Sequence, residues 1–415
     1  MPPPTTGCAA SSTATASRIA CEVRSGAAKT TPIGGKRPEV TGPSATARRA
    51  KRLSQVRSVE PERFARTRRR SMKIEYDAGT ALTIMRGNPV RGWISGKPEK
   101  MAKERLTTGN YLAVQHKPKF KIDPSWPIFT MGSCFAREVE NLLMMRGLPL
   151  LLRGHGVPAE HFESWDEETG RGGGADRGQL SRGALNKYSV RSMTHELKRV
   201  LRGESYPDDG LIELAPGQWF DPHASGLRLL DRDTAFANRK RLTEATATIK
   251  QAKICFFTLG LTETWLDAQT GIAMNAHPGP SWLQRMPERF RFVDYGYDAT
   301  LADMLDIIGL IREHCNPEMR FVVTVSPVPF GATFKDADVI VANSASKSLL
   351  RAVAEELFRR FDYVDYFPSY EIVLNSPRAI AFEDDQLHIA REMVAHVMTT
   401  FQGAYLPPAE QPQAA

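Results

Sequence analysis

Three side chains of this sequence have the types and positions that acyl transfer needs. Ser133 stands in Met131-Gly132-Ser133-Cys134-Phe135, between an apolar run that reads as a strand and a stretch with helical spacing. A hydroxyl at such a corner stands at the carboxyl edge of the sheet, where ligands of open α/β sheets bind. Asp385 and His388 lie three residues apart in Asp384-Asp385-Gln386-Leu387-His388, at the mouth of the last helical stretch. A short turn lets that carboxylate reach its own imidazole. The carboxylate then accepts from one ring nitrogen, fixes the tautomer and leaves the other nitrogen to take the serine proton. Plainer uses compete: Ser is a favoured helix N-cap, Asp385 reads equally as a capping carboxylate, and His388 as a surface side chain. Cys134 is the rival nucleophile, although a Cys one step into a helix is more often a small buried hydrophobe.

The elements that must position these residues follow from hydrophobic spacing. From Trp126 onward, short apolar runs alternate with amphipathic stretches, which predicts a parallel sheet covered by helices. Strands are expected at 127–131, 254–259, 321–325 and 363–367, and a hairpin over 211–223 around Pro216 and Gly217. Phe135, Val139, Leu142 and Leu143 share a helical face that Gly147 ends. Further helices are expected over 301–312, 344–361 and 388–401. Residues 153–186 are dense in Gly and charge, notably at 170–176, and read as a long loop or insertion over the site. The expected fold is thus one three-layer α/β/α domain with about five mostly parallel strands.

The formal charge of +8 is unevenly spread. Residues 1–71 hold 15 Lys/Arg and 4 Asp/Glu, a balance of +11; residues 72–415 hold the other 40 and 43, a balance of −3. Basicity therefore says little about the folded part, for which no nucleic-acid partner is expected. Residues 1–71 lack the apolar side chains to join a core, so a disordered basic tail is expected there. It reads as a nucleic-acid-binding tail, a transit-like segment, an inert tail, or a mis-assigned start with the true one at Met72. A poorly defined lead-in is expected over 72–104 and a flexible tail over 403–415. Five irregularly spaced cysteines suit neither a disulfide framework nor zinc. His195 and His277 lack partners at metal-ligand spacing, so no metal or other cofactor is expected. No apolar run suits a membrane span or a secretory signal, and a cytoplasmic location is expected.

Several stretches together resemble the GSCFA-domain proteins, named for the motif that stands here as Gly132-Ser133-Cys134-Phe135-Ala136. They include PheThrLeuGlyLeuThrGluThrTrp (257–265), ThrValSerProValPro (324–329), Asn343 with SerAlaSerLys (344–347), TyrPheProSerTyrGlu (366–371) and AspGlnLeuHis (385–388). The resemblance covers roughly residues 105–402, and the order of these stretches is what makes it specific. It implies a branch of the SGNH/GDSL hydrolases, with a flavodoxin-like sheet. It also implies a Ser133/Asp385/His388 triad acting on esters, often acyl groups on carbohydrate. In such enzymes the serine N–H, a Gly and the Asn of a GlyXaaAsn turn hold the oxyanion. The matching turn here is Gly260-Leu261-Thr262, so Thr262 replaces the amide donor with a hydroxyl.

Other candidates are Glu263 and Trp265, which can line a sugar-stacking pocket, although Trp265 reads equally as packing, and Asn186, which matches a recurrent loop Asn of the family. The expected function is hydrolysis or transfer of an acyl ester through acyl-Ser133, with a small-molecule or carbohydrate ester as substrate. The alternative is a degenerate fold serving as a glycan- or protein-binding module.

Overall fold

The computed structural model describes residues 74–152, 154–162, 183–275 and 279–407. The expected disordered tail, the Gly-rich stretch at 170–176, His277 and the last eight residues lie outside these.

Eight strands occur among the described residues: β1 (Ile128–Gly132), β2 (Ile212–Ala215), β3 (Gln218–Phe220), β4 (Ile254–Leu259), β5 (Glu263–Asp267), β6 (Phe290–Asp294), β7 (Arg320–Val325) and β8 (Val364–Tyr366). Four form a parallel sheet in the order β1-β4-β7-β8, while β2-β3 and β5-β6 are antiparallel hairpins. The main helices are α1 (Cys134–Met145), α2 (Val190–Arg202), α3 (Arg232–Ala247), α4 (Tyr297–His314), α5 (Val339–Arg360) and α6 (Arg391–Tyr405). The sheet is buried on both faces. Cys255, Phe257 and Leu259 of β4 join a cluster with Leu197, Ile307 and Leu350 of α2, α4 and α5. Ile254 and Phe256 join a second cluster with Val139 of α1 and Val397 of α6. Strands covered on both sides need apolar side chains at every position, which is why these read as unbroken apolar runs.

Two boundaries differ from expectation. A fifth strand is reduced to a single parallel bridge between Ile128 and Leu150. The last helix does not stop near 402: Tyr405 is fully buried, its hydroxyl donates to Asp365 Oδ2 at 2.8 Å and its carbonyl accepts from Ile122 N–H. The lead-in holds an exposed helix, Ala78–Gly87, capped by Asp77.

Register sets which residues leave the carboxyl edge of the sheet together. Gly132 pairs with Thr258, and Leu259 with Val325, so the residues that follow these strand ends, Ser133, Gly260 and Ser326, emerge side by side. Gly132 is required there, because a Cβ on it would lie 2.5 Å from the Thr258 carbonyl oxygen.

A loop, 186–189, is pinned against the same edge. Lys187 N–H donates to Gly132 O at 2.7 Å and Leu261 N–H to Tyr188 O at 2.8 Å. Beneath it, Lys187 Nζ lies 3.7 Å from Glu196, which pairs with Arg239 at 2.8 Å, and Arg239 lies 3.6 Å from Asp221. Burial pushes the Lys187 ammonium down to about 8 although Glu196 opposes it, and burial holds His223, beside Glu196, down to about 4. At neutral pH this core therefore carries charged Lys187, Glu196 and Arg239 around a neutral imidazole. Removing one member strands its partners in a dry interior. Arg239→Met is expected to cost about 3–5 kcal/mol, read as a lower urea midpoint at unchanged slope. A variant within 1 kcal/mol of wild type, on the order of an exposed pair, would contradict this reading.

Candidate active site

Ser133 follows β1 directly and precedes the first residue of α1. Ser133 is 3% exposed, and among the described residues its Oγ has no hydrogen-bond partner. The hydroxyl therefore does not cap α1, since an N-cap oxygen accepts an N–H two or three residues on. An unpaired buried hydroxyl costs about 1–3 kcal/mol. Where such a group faces a cavity, its hydrogen bond is open to a ligand or water there. Ser133 opens onto a cavity of about 510 Å³ that Gly260 and Ser326 also line. The Ser326 Oγ and the Trp265 Nε1 are likewise buried without partners and belong to the same lining.

The walls are mostly apolar, from Leu261, Met274, Phe292, Val328 and Phe330. Trp265 packs edge-on against Phe334 with centroids 4.9 Å apart, and lies 5.6 Å from Phe292. Glu263 lines the cavity too, but its carboxylate is occupied. Thr333 Oγ1 donates to it at 2.6 Å and Phe334 N–H at 3.2 Å, which latches the loop after β7 onto β5.

Asp385 and His388 form the expected pair. Asp385 Oδ1 accepts the N–H groups of Leu387 and His388, both at 2.9 Å, and Oδ2 lies 2.5 Å from His388 Nδ1. Slight burial would raise the Asp385 carboxyl, but the His388 and Leu387 contacts outweigh it and bring it down to about 2. A carboxylate in that place makes Nδ1 the protonated nitrogen and leaves the Nε2 lone pair free. Gln386 sits at φ 56°, in the left-handed region, and its carbonyl accepts from Arg378, so the turn is held by more than its own sequence. Phe382 and Ile389, on either side, belong to the apolar cluster that contains Phe135 of α1.

The structure does not join this pair to the serine. Neither Asp385 nor His388 lines the Ser133 cavity, and their side chains are 46% and 58% exposed. Glu383, Asp385 and His388 also place ligand-type atoms within 4.8 Å of one another, all at the surface.

Thr262 does not face the cavity. Its hydroxyl donates to Asp294 Oδ1 at 2.7 Å and its N–H to Ser346 Oγ at 3.1 Å, so both of its donors serve the β5-β6 hairpin and α5. Asn186 is buried behind the lining, with Nδ2 donating to Tyr188 Oη at 3.3 Å. Tyr188 itself lines the cavity. His195 is not poised for a metal: its Nδ1 accepts from Ala273 N–H at 2.8 Å, and burial lowers it to about 3. Cys134 lines the cavity beside Ser133, but burial raises its thiol, which keeps the sulfur protonated and a poor nucleophile.

Spacing alone did not single out Lys347, which is fully buried in the cavity wall and donates to Gly260 O at 2.8 Å. The available signal was its place on α5, in line with Leu350, Ala354 and Leu357 on the face that packs the core.

The GSCFA family model matches residues 127–401, which span every residue of this site. The chain belongs to the GSCFA family. No curated protein matches it in sequence. One similar solved structure is the crystal structure of a carbohydrate esterase family 3 from Talaromyces cellulolyticus. It has 10% sequence identity and a TM-score of 0.26, covering 67% of this chain and 95% of that chain. In this GSCFA protein the motif's Gly132 and Ser133 take distinct parts, close approach to β4 and an unpaired hydroxyl, while Phe135 and Ala136 pack in the core. Among the described residues no helix is long and apolar enough to cross a membrane.

Proposed function

We propose that this GSCFA protein hydrolyses or transfers a carboxylic acyl ester through an acyl-Ser133 intermediate, on an SGNH-like three-layer fold. The observation that carries the reading is the Ser133 hydroxyl, buried and unpaired at a strand-to-helix corner and open to a cavity. The apolar walls suit the acyl group, and Trp265 offers a face and an unpaired N–H to the alcohol portion, a sugar among the candidates. His388 serves as base and then acid, with Asp385 holding its tautomer. Its approach to Ser133 belongs to the substrate complex, since catalytic hydrogen bonds commonly tighten only there.

The second reading, a glycan- or protein-binding module, is favoured by the lack of His388 in the lining of the Ser133 cavity and by the engagement of Thr262 with Asp294. Incubation of the purified protein with p-nitrophenyl acetate and with an acetylated oligosaccharide separates the two. The esterase reading expects turnover with an initial burst near one equivalent of nitrophenol, the mark of an acyl-enzyme. Saturable oligosaccharide binding with no release of acetate would replace it with the module.

A further inference from the structure

Ester hydrolysis at Ser133 needs donors for the oxygen that becomes negative, and the position expected to supply a side-chain donor does not face the cavity. Thr262 gives its hydroxyl to Asp294 and its N–H to Ser346. A different donor lines the same cavity as the nucleophile. A Cβ built on Gly260 would lie 3.4 Å from Ser133 Cβ, and Lys347 Nζ lies 2.8 Å from the Gly260 carbonyl oxygen. Lys347 is 0% exposed and lines the cavity onto which Ser133 opens. Among the described residues that carbonyl is its hydrogen-bond partner, and no carboxylate pairs with it. An ammonium has three N–H groups, so two remain for the cavity. Burying a cation without a counterion is expensive, and a fold that only needed bulk on this helix face would place Leu or Met there.

We infer that the Lys347 ammonium donates to the oxyanion formed when Ser133 attacks the ester, in the part that an asparagine amide would take. The inference rests on the esterase reading above. Ser133 Oγ forms a bond to the carbonyl carbon, its proton passes to His388 Nε2, and the carbonyl π pair moves onto oxygen. Lys347 N–H, with the Ser133 N–H, holds that oxygen. Collapse restores the C=O bond, breaks the bond to the alcohol oxygen and sends the His388 proton to the departing alkoxide. Water repeats the sequence on acyl-Ser133. Burial lowers Lys347 to about 7, and a negative charge developing nearby opposes that by favouring the ammonium form.

The test compares wild type with Lys347→Met. Lys347→Met is expected to lower kcat by about 10²- to 10³-fold at little change in KM, and to weaken an alkyl boronic acid by about 10²-fold. Fluorophosphonate labelling of Ser133 is expected to slow but still occur. If wild type labels at Ser133 and Lys347→Met turns over within about threefold of it, the lysine is structural and the esterase reading stands. If wild type neither labels nor turns over, both fall. A second measurement reads the lysine itself. With ¹³Cε-lysine, the wild-type signal that Lys347→Arg removes is expected to move up by at least about one pH unit when the boronic acid adds to Ser133 as a tetrahedral anion. An unchanged titration in the adduct overturns the inference.

Discussion

Ser133→Ala is expected to lower ester turnover by about 10⁵- to 10⁶-fold, the loss seen when a nucleophile of a cooperating triad is removed. The same substitution is expected to leave the melting temperature unchanged or raise it. The two expectations belong together because Ser133 Oγ has no hydrogen-bond partner among the described residues. Removing it breaks no hydrogen bond among the described residues, and its place in the cavity lining leaves the packing of the core intact. Were the hydroxyl a helix cap, alanine would cost about 1 kcal/mol and turnover would be unaffected. The pair of measurements, kcat and thermal midpoint, thus moves in opposite directions under the two accounts. A lower midpoint with full activity would return Ser133 to capping.

Asp385→Asn is expected to reduce kcat by about 10⁴-fold with the turn intact. Asp385 does two jobs with two oxygens. Oδ1 accepts the backbone N–H groups of Leu387 and His388, and an amide oxygen can continue to do so. Oδ2 faces His388 Nδ1 at 2.5 Å, and there an amide nitrogen would present N–H to N–H unless the imidazole changes tautomer. That change puts the proton on Nε2, where it cannot take one from Ser133, and removes the charge that stabilises an imidazolium. Asp385→Ala should lose both jobs and add disorder of the turn, visible as broadened amide signals at Leu387 and His388. Equal turnover in wild type and Asp385→Asn would reduce the pair to a surface turn.

Much of the frame was legible because it follows from one physical demand. Strands buried on both faces need apolar side chains throughout, and 254–259 reads as a strand for that reason. The helix over 344–361 was legible too, but it starts five residues earlier, where Asp338 caps it and Val339, Ile340 and Val341 remain exposed. Val190–Arg202 carried a usable signal, with Val190, Met193, Leu197, Val200 and Leu201 at helical spacing. Its neighbouring positions Ser192, Thr194 and Glu196 are also buried, which blurs the amphipathic contrast. Glu196 is tolerated there because Lys187 and Arg239 face it, partners 9 and 43 residues away that no local pattern announces. The β5-β6 hairpin escaped for a similar reason, since its strands are separated by residues 268–289.

The site divides along the same line. The Asp385-His388 contact is local, three residues across one turn, and spacing suffices to foresee it. Thr262 looked available because its commitment to Asp294 spans 32 residues, and the Lys347 contact with Gly260 spans 87. Sequence neighbours locate a corner or a turn, while the donors around the reacting atom are set by how the strand ends and α5 meet.

The most direct test of the central claim is the mass of the intact wild-type protein after exposure to a fluorophosphonate, followed by peptide mapping. A single adduct is predicted, on Ser133 Oγ, absent from Ser133→Ala and retained in Cys134→Ala. No adduct, or an adduct that follows Cys134 instead, would contradict the account.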